Sequence, residues 1–355
     1  MHATIKNNIQ THGGIAVNIR KQEIGLVSVC LCILVVFIHV SSWTIQDMDK
    51  QSIQFILLLT PWRLSAFVVQ GFIFLSGLKL FLSQKPFSYG AFLRSRAKKI
   101  LLPYLIWVGL YYAFFIAIGW YRFSFLDLAE YIFLGTLCAH FYFIVIIVQF
   151  YLLMPLFRAL LSRFDARLLC AAALLLTIFF KLFVHFQYDD RVFCGYLFYF
   201  MLGAAVGRNY EAFCAWLARR FGFVCAAFAL LAAADVYLAW RSMAFGATFW
   251  WIEALHLAYV ISAILFVFGL CLFITKAAGR LPRSVALCER ASYMIYLSHI
   301  LPIYIANGLA ARLHIGDMAA AFLFRAVFTY TVTFAGCMLY TAAKEKFFKR
   351  RRPVA

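Results

Sequence analysis

Ten stretches of roughly 20 mostly apolar residues, the length a helix needs to cross a bilayer, recur along this chain. They fall at about residues 24–45, 62–83, 101–120, 140–158, 168–187, 192–208, 221–240, 252–275, 291–311 and 318–343. In hydrocarbon, backbone polar groups must be satisfied without water, which leaves helices or closed barrels. Runs this long predict an all-α membrane protein, a polytopic bundle of about ten transmembrane helices. Composition agrees, with 65% hydrophobic and 13% charged residues against about 45–50% and about 25% in soluble domains. A cytosolic enzyme, a secreted disulfide scaffold and a disordered chain are thereby excluded. The weaker apolar stretch 123–138 carries Asp127 and Glu130, which suggests a helix lying at the outer interface.

Charge placement sets the expected orientation. Connections after even-numbered spans carry Lys85, Arg94, Arg96, Lys98, Lys99, Arg158, Arg163, Arg167, Arg208, Arg219, Arg220, Lys276, Arg280, Arg283 and Arg290. The tails add Lys6, Arg20, Lys21, Lys344, Lys346, Lys349, Arg350, Arg351 and Arg352. The opposite loops hold only Lys50, Arg63, Arg122, Arg191, Arg241 and Arg312. Twenty-four cations against six place both termini in the cytoplasm. They also account for most of the net charge of +19 without nucleic acid as a partner. Trp43, Trp62, Trp120, Trp240, Trp250 and Trp251 fall near outer span ends, and Trp107 and Trp216 near inner ones, as an aromatic belt requires. Residues 1–23 are polar and no small-residue cleavage site follows the run from Ile24, so that run is expected to stay as the first span. The expected organisation is a cytoplasmic tail over 1–23, a transmembrane domain over 24–343 and a basic tail over 344–355. The ten cysteines lie mostly in apolar runs without metal or redox spacing and read as small core hydrophobes.

Ionisable groups inside a span cost several kcal/mol and are functional candidates by default. His39 stands deep in the first span among aliphatics. Imidazole there suits a base, an acid or an acyl carrier. His299 lies about two turns into the ninth span, Gln149 mid-span in the fourth and Arg325 about two turns into the tenth. Lys181 and His185 lie near the outer end of the fifth. Lys181 and Arg325 are long enough to snorkel or pair, and Gln149 suits helix–helix bonding. Ser76 and Gly77 allow close backbone approach between packed helices. The basic run Arg94-Ser-Arg96-Ala-Lys98-Lys99 is a positive-inside signal or an anion site for a phosphorylated cytosolic ligand. At the outer ends, His140, Asp127, Glu130, Asp189, Asp190, Asp235, Glu253 and His256 offer either solvated loop positions or a place for a polar acceptor such as a sugar.

Together these segments resemble the acyltransferase family 3 membrane proteins of bacteria. Ile33-Leu-Val-Val-Phe-Ile-His39 is similar to the family's first-span histidine segment, and Phe72-Ile-Phe-Leu-Ser76-Gly77 to its Ser-Gly motif. Arg94 through Lys99, leading to Pro103-Tyr104, resembles its basic loop before a Pro-Tyr helix start. His140-Phe-Tyr142 followed by Gln149-Phe-Tyr151 resembles its fourth-span signature, and Ser292-Tyr293-Met-Ile-Tyr296-Leu-Ser-His299 its late Tyr-x-x-His segment. Two positions depart from the pattern. Ser28 stands where the family usually has Arg, eleven residues before the histidine, and Lys99 stands in place of a second loop Arg. Lys keeps the charge but not bidentate recognition.

The resemblance implies a multi-pass protein of the bacterial inner membrane that is an O-acyltransferase. It would take an acyl group, commonly acetyl, from cytosolic acyl-CoA as co-substrate, with no permanently bound cofactor and no metal. The acceptor would be a hydroxyl of a surface glycan or lipid-linked glycan. His39 would be the catalytic base or transient acyl carrier. Arg94, Arg96 and Lys99 would hold CoA phosphates, and Ser76, Gly77, His140, Tyr142 and His299 would line the pocket. The competing reading is an exporter or flippase of a polysaccharide such as poly-N-acetylglucosamine, without acyl transfer. A third is a non-catalytic subunit of a polysaccharide synthase.

Overall fold

The structure is a computed structural model that describes residues 21–83 and 86–350. Of the cations that set the orientation, Lys6, Arg20, Lys85, Arg351 and Arg352, and the side chains of Lys349 and Arg350, lie outside the described residues. The charge distribution defines the inner and outer ends of the bundle.

The chain runs α1 (Gln22–Asp47), α2 (Ile53–Arg63), α3 (Val68–Leu82), α4 (Tyr89–Arg96), a π-turn (Ala97–Leu101) and α5 (Leu102–Ala117). It continues through α6 (Phe125–Leu134), α7 (Tyr142–Leu152), α8 (Met154–Arg163), α9 (Ala166–Phe183), a 3-10 turn (Phe193–Tyr196) and α10 (Leu197–Arg208). α11 (Tyr210–Phe245), α12 (Ile252–Ala278), α13 (Arg283–Ser298), α14 (Ile300–Arg312) and α15 (Met318–Arg350) complete it. Each of the ten expected spans corresponds to one helical stretch of this series. Seven are long and apolar enough to cross a membrane by themselves, counting α2 with α3 and α4 with α5. The pairs α7–α8 and α13–α14 are bent by 54° and 59°. The tenth stretch, Phe193–Arg208, is shorter than a full span. The amphipathic α6 has no buried residue, as expected of an interfacial helix.

Prolines explain both bends. A proline removes its own N–H bond and crowds the carbonyl four residues back. Pro155 stands one residue into α8 and Pro302 two residues into α14. Each helix therefore breaks at the preceding turn.

Burial sorts the helices. α1 is hydrophobic all round and packs on α2, α3 and α12 through α15, as a central helix must. α5, α9 and α11 expose Leu102, Ile106, Leu110, Leu175, Phe179, Phe183, Phe223 and Leu230. Apolar side chains on the outside of a bundle are a lipid-facing surface, so the fold is turned inside out only relative to soluble proteins.

α3 and α10 cross with their backbones nearly touching. A β-carbon at Gly77 would stand 2.2 Å from the Phe200 carbonyl oxygen, and one at Gly203 would stand 2.0 Å from that of Phe74. Gly203 and Gly207 are four apart on one face of α10, a small-xxx-small seam.

Near the outer end, Arg63 of α2 grips buried Asp235 of α11 with Nε–Oδ2 at 2.7 Å and Nη2–Oδ1 at 3.0 Å. His256 Nδ1 lies 3.0 Å from the same carboxylate. Asp235 therefore belongs to an internal ion pair, not to the solvated loop positions among which the sequence placed it. Removing one partner of a buried pair costs about 3–5 kcal/mol. Asp235→Ala is accordingly expected to lower the melting temperature by several degrees, read by thermal unfolding in detergent.

Candidate active site

The break between α13 and α14 builds the centre of the molecule. Pro302 cannot donate, and the Leu301 N–H has left the helical ladder to donate to the Tyr111 hydroxyl at 3.0 Å. The Leu297 carbonyl is thereby released. It accepts from Tyr111 at 3.1 Å and lies 3.2 Å from His140 Nε2. His299 sits at the bend itself, fully buried, with Nδ1 2.8 Å from the Tyr296 carbonyl oxygen.

His140 arrives from the opposite side. Gly135 ends α6 at φ +66°, a left-handed conformation that favours glycine, and the chain turns so tightly that its Cβ position meets Phe141 backbone at 2.9 Å. That turn dips inward. His140 is 1% exposed, in the core as the resemblance implies for a pocket residue and not among the solvated positions at the outer span ends. The Tyr296 hydroxyl donates to the His140 carbonyl and fastens the turn to α13.

His39 of α1 completes the group. Its ring centroid lies 5.0 Å from that of His299 and 6.2 Å from that of His140, and the last two are 4.8 Å apart. Three imidazoles from chain positions 39, 140 and 299 thus share one site. Their roles differ. A nitrogen that faces a carbonyl carries the proton, which leaves the other nitrogen as an acceptor. By this rule His299 Nε2 and His140 Nδ1 bear lone pairs, and both are buried without a partner. His39 is half-buried and makes no hydrogen bond among the described residues. It is the reachable ring, backed by two fixed proton acceptors. Such a set can take a proton from a hydroxyl and return it to a leaving thiolate. No group of three or more His, Cys, Asp or Glu among the described residues is placed to hold a metal ion.

Aromatic rings lead inward from the histidines. Tyr296 contacts His140 and His299, and packs on Phe72 and Phe143 at 6.0 and 5.2 Å between centroids. Nearer the inner end, Arg96 lies over Phe92 and Tyr151 at 5.1 and 5.3 Å from their centroids, and its Nε is buried without a partner. Arg94 and Lys99 are exposed. Of the three expected donor-binding cations, Arg96 alone turns into the protein.

The other candidates divide. Ser76 is half-buried on α3, its hydroxyl donating to the Phe72 carbonyl at 2.9 Å. Gly77 lies in the α3–α10 crossing. Tyr142 lies beside Tyr196, whose hydroxyl donates to the Asp190 carbonyl at 3.1 Å. Gln149 donates to the Arg191 carbonyl at 2.7 Å and accepts from Phe193 N–H at 3.1 Å, so it stitches α7 to the turn before α10. One residue escaped the sequence reading. Lys79 of α3 reaches α1, where its Nζ donates to Ser28 Oγ at 2.8 Å. A cation thus stands against position 28 although α1 carries none there. A lysine inside an apolar span was the available signal.

A family model described as an acyltransferase domain matches residues 23–342. Proteins of Staphylococcus aureus strains MSSA476, MW2 and N315, each named a probable poly-β-1,6-N-acetyl-D-glucosamine export protein, are 24% identical over 287 residues. The match covers 76% of this chain and 78% of each relative. No solved structure matches the chain.

Proposed function

This chain belongs to the acyltransferase domain family, and from that premise we propose that it moves an acyl group, acetyl in the simplest case, from cytosolic acyl-CoA to a hydroxyl of a glycan or lipid-linked glycan beyond the membrane. The single observation that carries this reading is the convergence of His39, His140 and His299 inside the bundle. The acyl thioester approaches from the basic inner face. Arg96 and Lys79 meet its phosphates, assisted by the exposed Arg94 and Lys99, and the acyl arm follows the rings of Tyr151, Phe143 and Tyr296.

At the histidines the acceptor oxygen attacks the thioester carbon. His39 takes the hydroxyl proton as the new C–O bond forms. The C–S bond then breaks, and the proton passes to the departing thiolate. Once protonated, His39 can donate to the lone pair of His299 Nε2 or His140 Nδ1, both otherwise without a partner, which stabilises its charge. Ser76 lines the inner approach, while Gly77 fixes α3, and Tyr142 supports the turn that carries His140. The cell membrane of a bacterium, with the basic face inward, is the proposed location.

Arg96→Gln tests the donor half. A lost charge-assisted contact to phosphate is worth about 1.5–3 kcal/mol, so KM for acetyl-CoA is expected to rise roughly ten- to a hundredfold with kcat little changed. Initial-rate kinetics on the purified protein read this directly. The relatives' printed name favours a second reading, export of a polysaccharide. That reading requires glycan flux that is independent of acyl-CoA and a product without acyl esters.

A further inference from the structure

In the outer half of the bundle, where α15 packs on α1 and α14, stands a guanidinium that forms no ion pair among the described residues. Arg325 is 8% exposed. It donates to Asn307 Oδ1 at 2.9 Å and to the Thr44 hydroxyl. Its Nε is buried and donates to nothing, and the same holds for Asn307 Nδ2. The hydroxyls of Thr329 and Thr333, one and two turns farther in on the same face of α15, are likewise buried and unpartnered. Asp47, the acidic group whose field reaches Arg325, is exposed at the end of α1 and forms no ion pair with it.

A buried cation that touches only neutral groups is costly, the more so in a membrane. The unmet demand has a definite chemistry. An arginine Nε–H and an asparagine Nδ2–H can only donate. What satisfies them must accept hydrogen bonds, and what balances the guanidinium must be negative. Both conditions describe a phosphate or carboxylate oxygen, for which arginine is the preferred partner. The neighbouring Arg63–Asp235–His256 group has no such demand, because its charges are paired internally.

We infer that Arg325, Asn307, Thr44 and Thr329 form an anion subsite that holds a phosphate or carboxylate group of the acyl acceptor. This assignment rests on the acceptor-acylation reading above. Its level in the bundle fits. Thr44 lies five residues outward of His39 on α1, roughly 7 Å of helical rise. An acidic saccharide anchored by its oxyanion there has a ring hydroxyl within reach of His39. The turn joining α14 to α15, at the outer end, is exposed. An uncharged sugar finds no counterpart for Arg325 and is disfavoured.

The test is thermal unfolding of the full-length protein in neutral detergent, titrated with inorganic phosphate, sodium glucuronate or glucose at fixed ionic strength. A ligand at about ten times its Kd is expected to raise the melting temperature by about 2–4 °C. Phosphate or glucuronate should do so, whichever oxyanion the site takes, and glucose should not. Arg325→Gln should abolish the shift, and Arg290→Gln on the inner face should keep it. Asn307→Asp supplies a counter-charge from within, so it should fold, melt higher without ligand and ignore both anions. His39→Ala should keep the anion shift while losing acyl transfer, which separates failure of this subsite from failure of the reaction assignment. Absence of any anion-dependent shift in the wild type, or its persistence in both Arg325→Gln and Asn307→Asp, overturns the inference.

Discussion

His39→Ala is expected to lower the acyl-transfer rate by about 10²–10⁴-fold, the usual contribution of a positioned general base, while the protein stays folded. The ring is half-buried and forms no hydrogen bond among the described residues, so its removal strands no partner and opens little cavity. His140 and His299 differ. Each is tied to the backbone that shapes the α13–α14 break. His299→Ala is expected to cost stability as well as rate. Rates and melting temperatures measured on the same preparations read the contrast. A His39→Ala protein with wild-type turnover contradicts the assignment of this ring to proton transfer.

Gly203→Val is expected to abolish folded protein. The added β-carbon would stand 2.0 Å from the Phe74 carbonyl oxygen, where a carbon–oxygen contact needs about 3.3 Å. Backbone atoms cannot rotate away, so α3 and α10 must separate along their length. Overpacking of an ordinary core site costs about 1–3 kcal/mol, and here the obstacle is main chain on both sides. The cost therefore lies at or beyond the upper end of that range. The reciprocal change Gly77→Val meets the Phe200 carbonyl oxygen at 2.2 Å and should fail in the same way. Size-exclusion chromatography of detergent extracts separates folded from aggregated protein, and a monodisperse Gly203→Val peak contradicts the close crossing. α3 also carries Phe72, Ser76 and Lys79, so this seam fixes one wall of the inner approach.

The helices were legible because span length and hydropathy are local properties. His39 was legible for the same reason, as a short polar residue among Val35, Val36 and Ile38. The resemblance put His140 and His299 in one pocket with His39, but the geometry of the histidine cluster was not legible. It depends on the Pro302 break and the Gly135 turn, which join positions more than a hundred residues apart. Apolar periodicity alone set His140 at an outer span end, because it gives no sign that the preceding turn folds inward. Asp235 was misplaced for a related reason, since its partner Arg63 lies on another helix. Lys79 passed unnoticed although it lies inside an apolar span, because its partner Ser28 lies on another helix. Arg325 was noticed as a charge inside a span, but its lack of an ion pair is visible only once α1, α14 and α15 are packed together.

The most direct measurement compares surface glycans and glycolipids from cells carrying the wild type, a deletion, or His39→Ala, by mass spectrometry before and after mild base. Acyl transfer through the histidine cluster requires a base-labile acyl ester in the wild type that is lost in both other strains, with the glycan still reaching the surface. Identical products in all three strains, or unacylated glycan that the deletion alone retains inside the cell, would contradict it and leave export as the function.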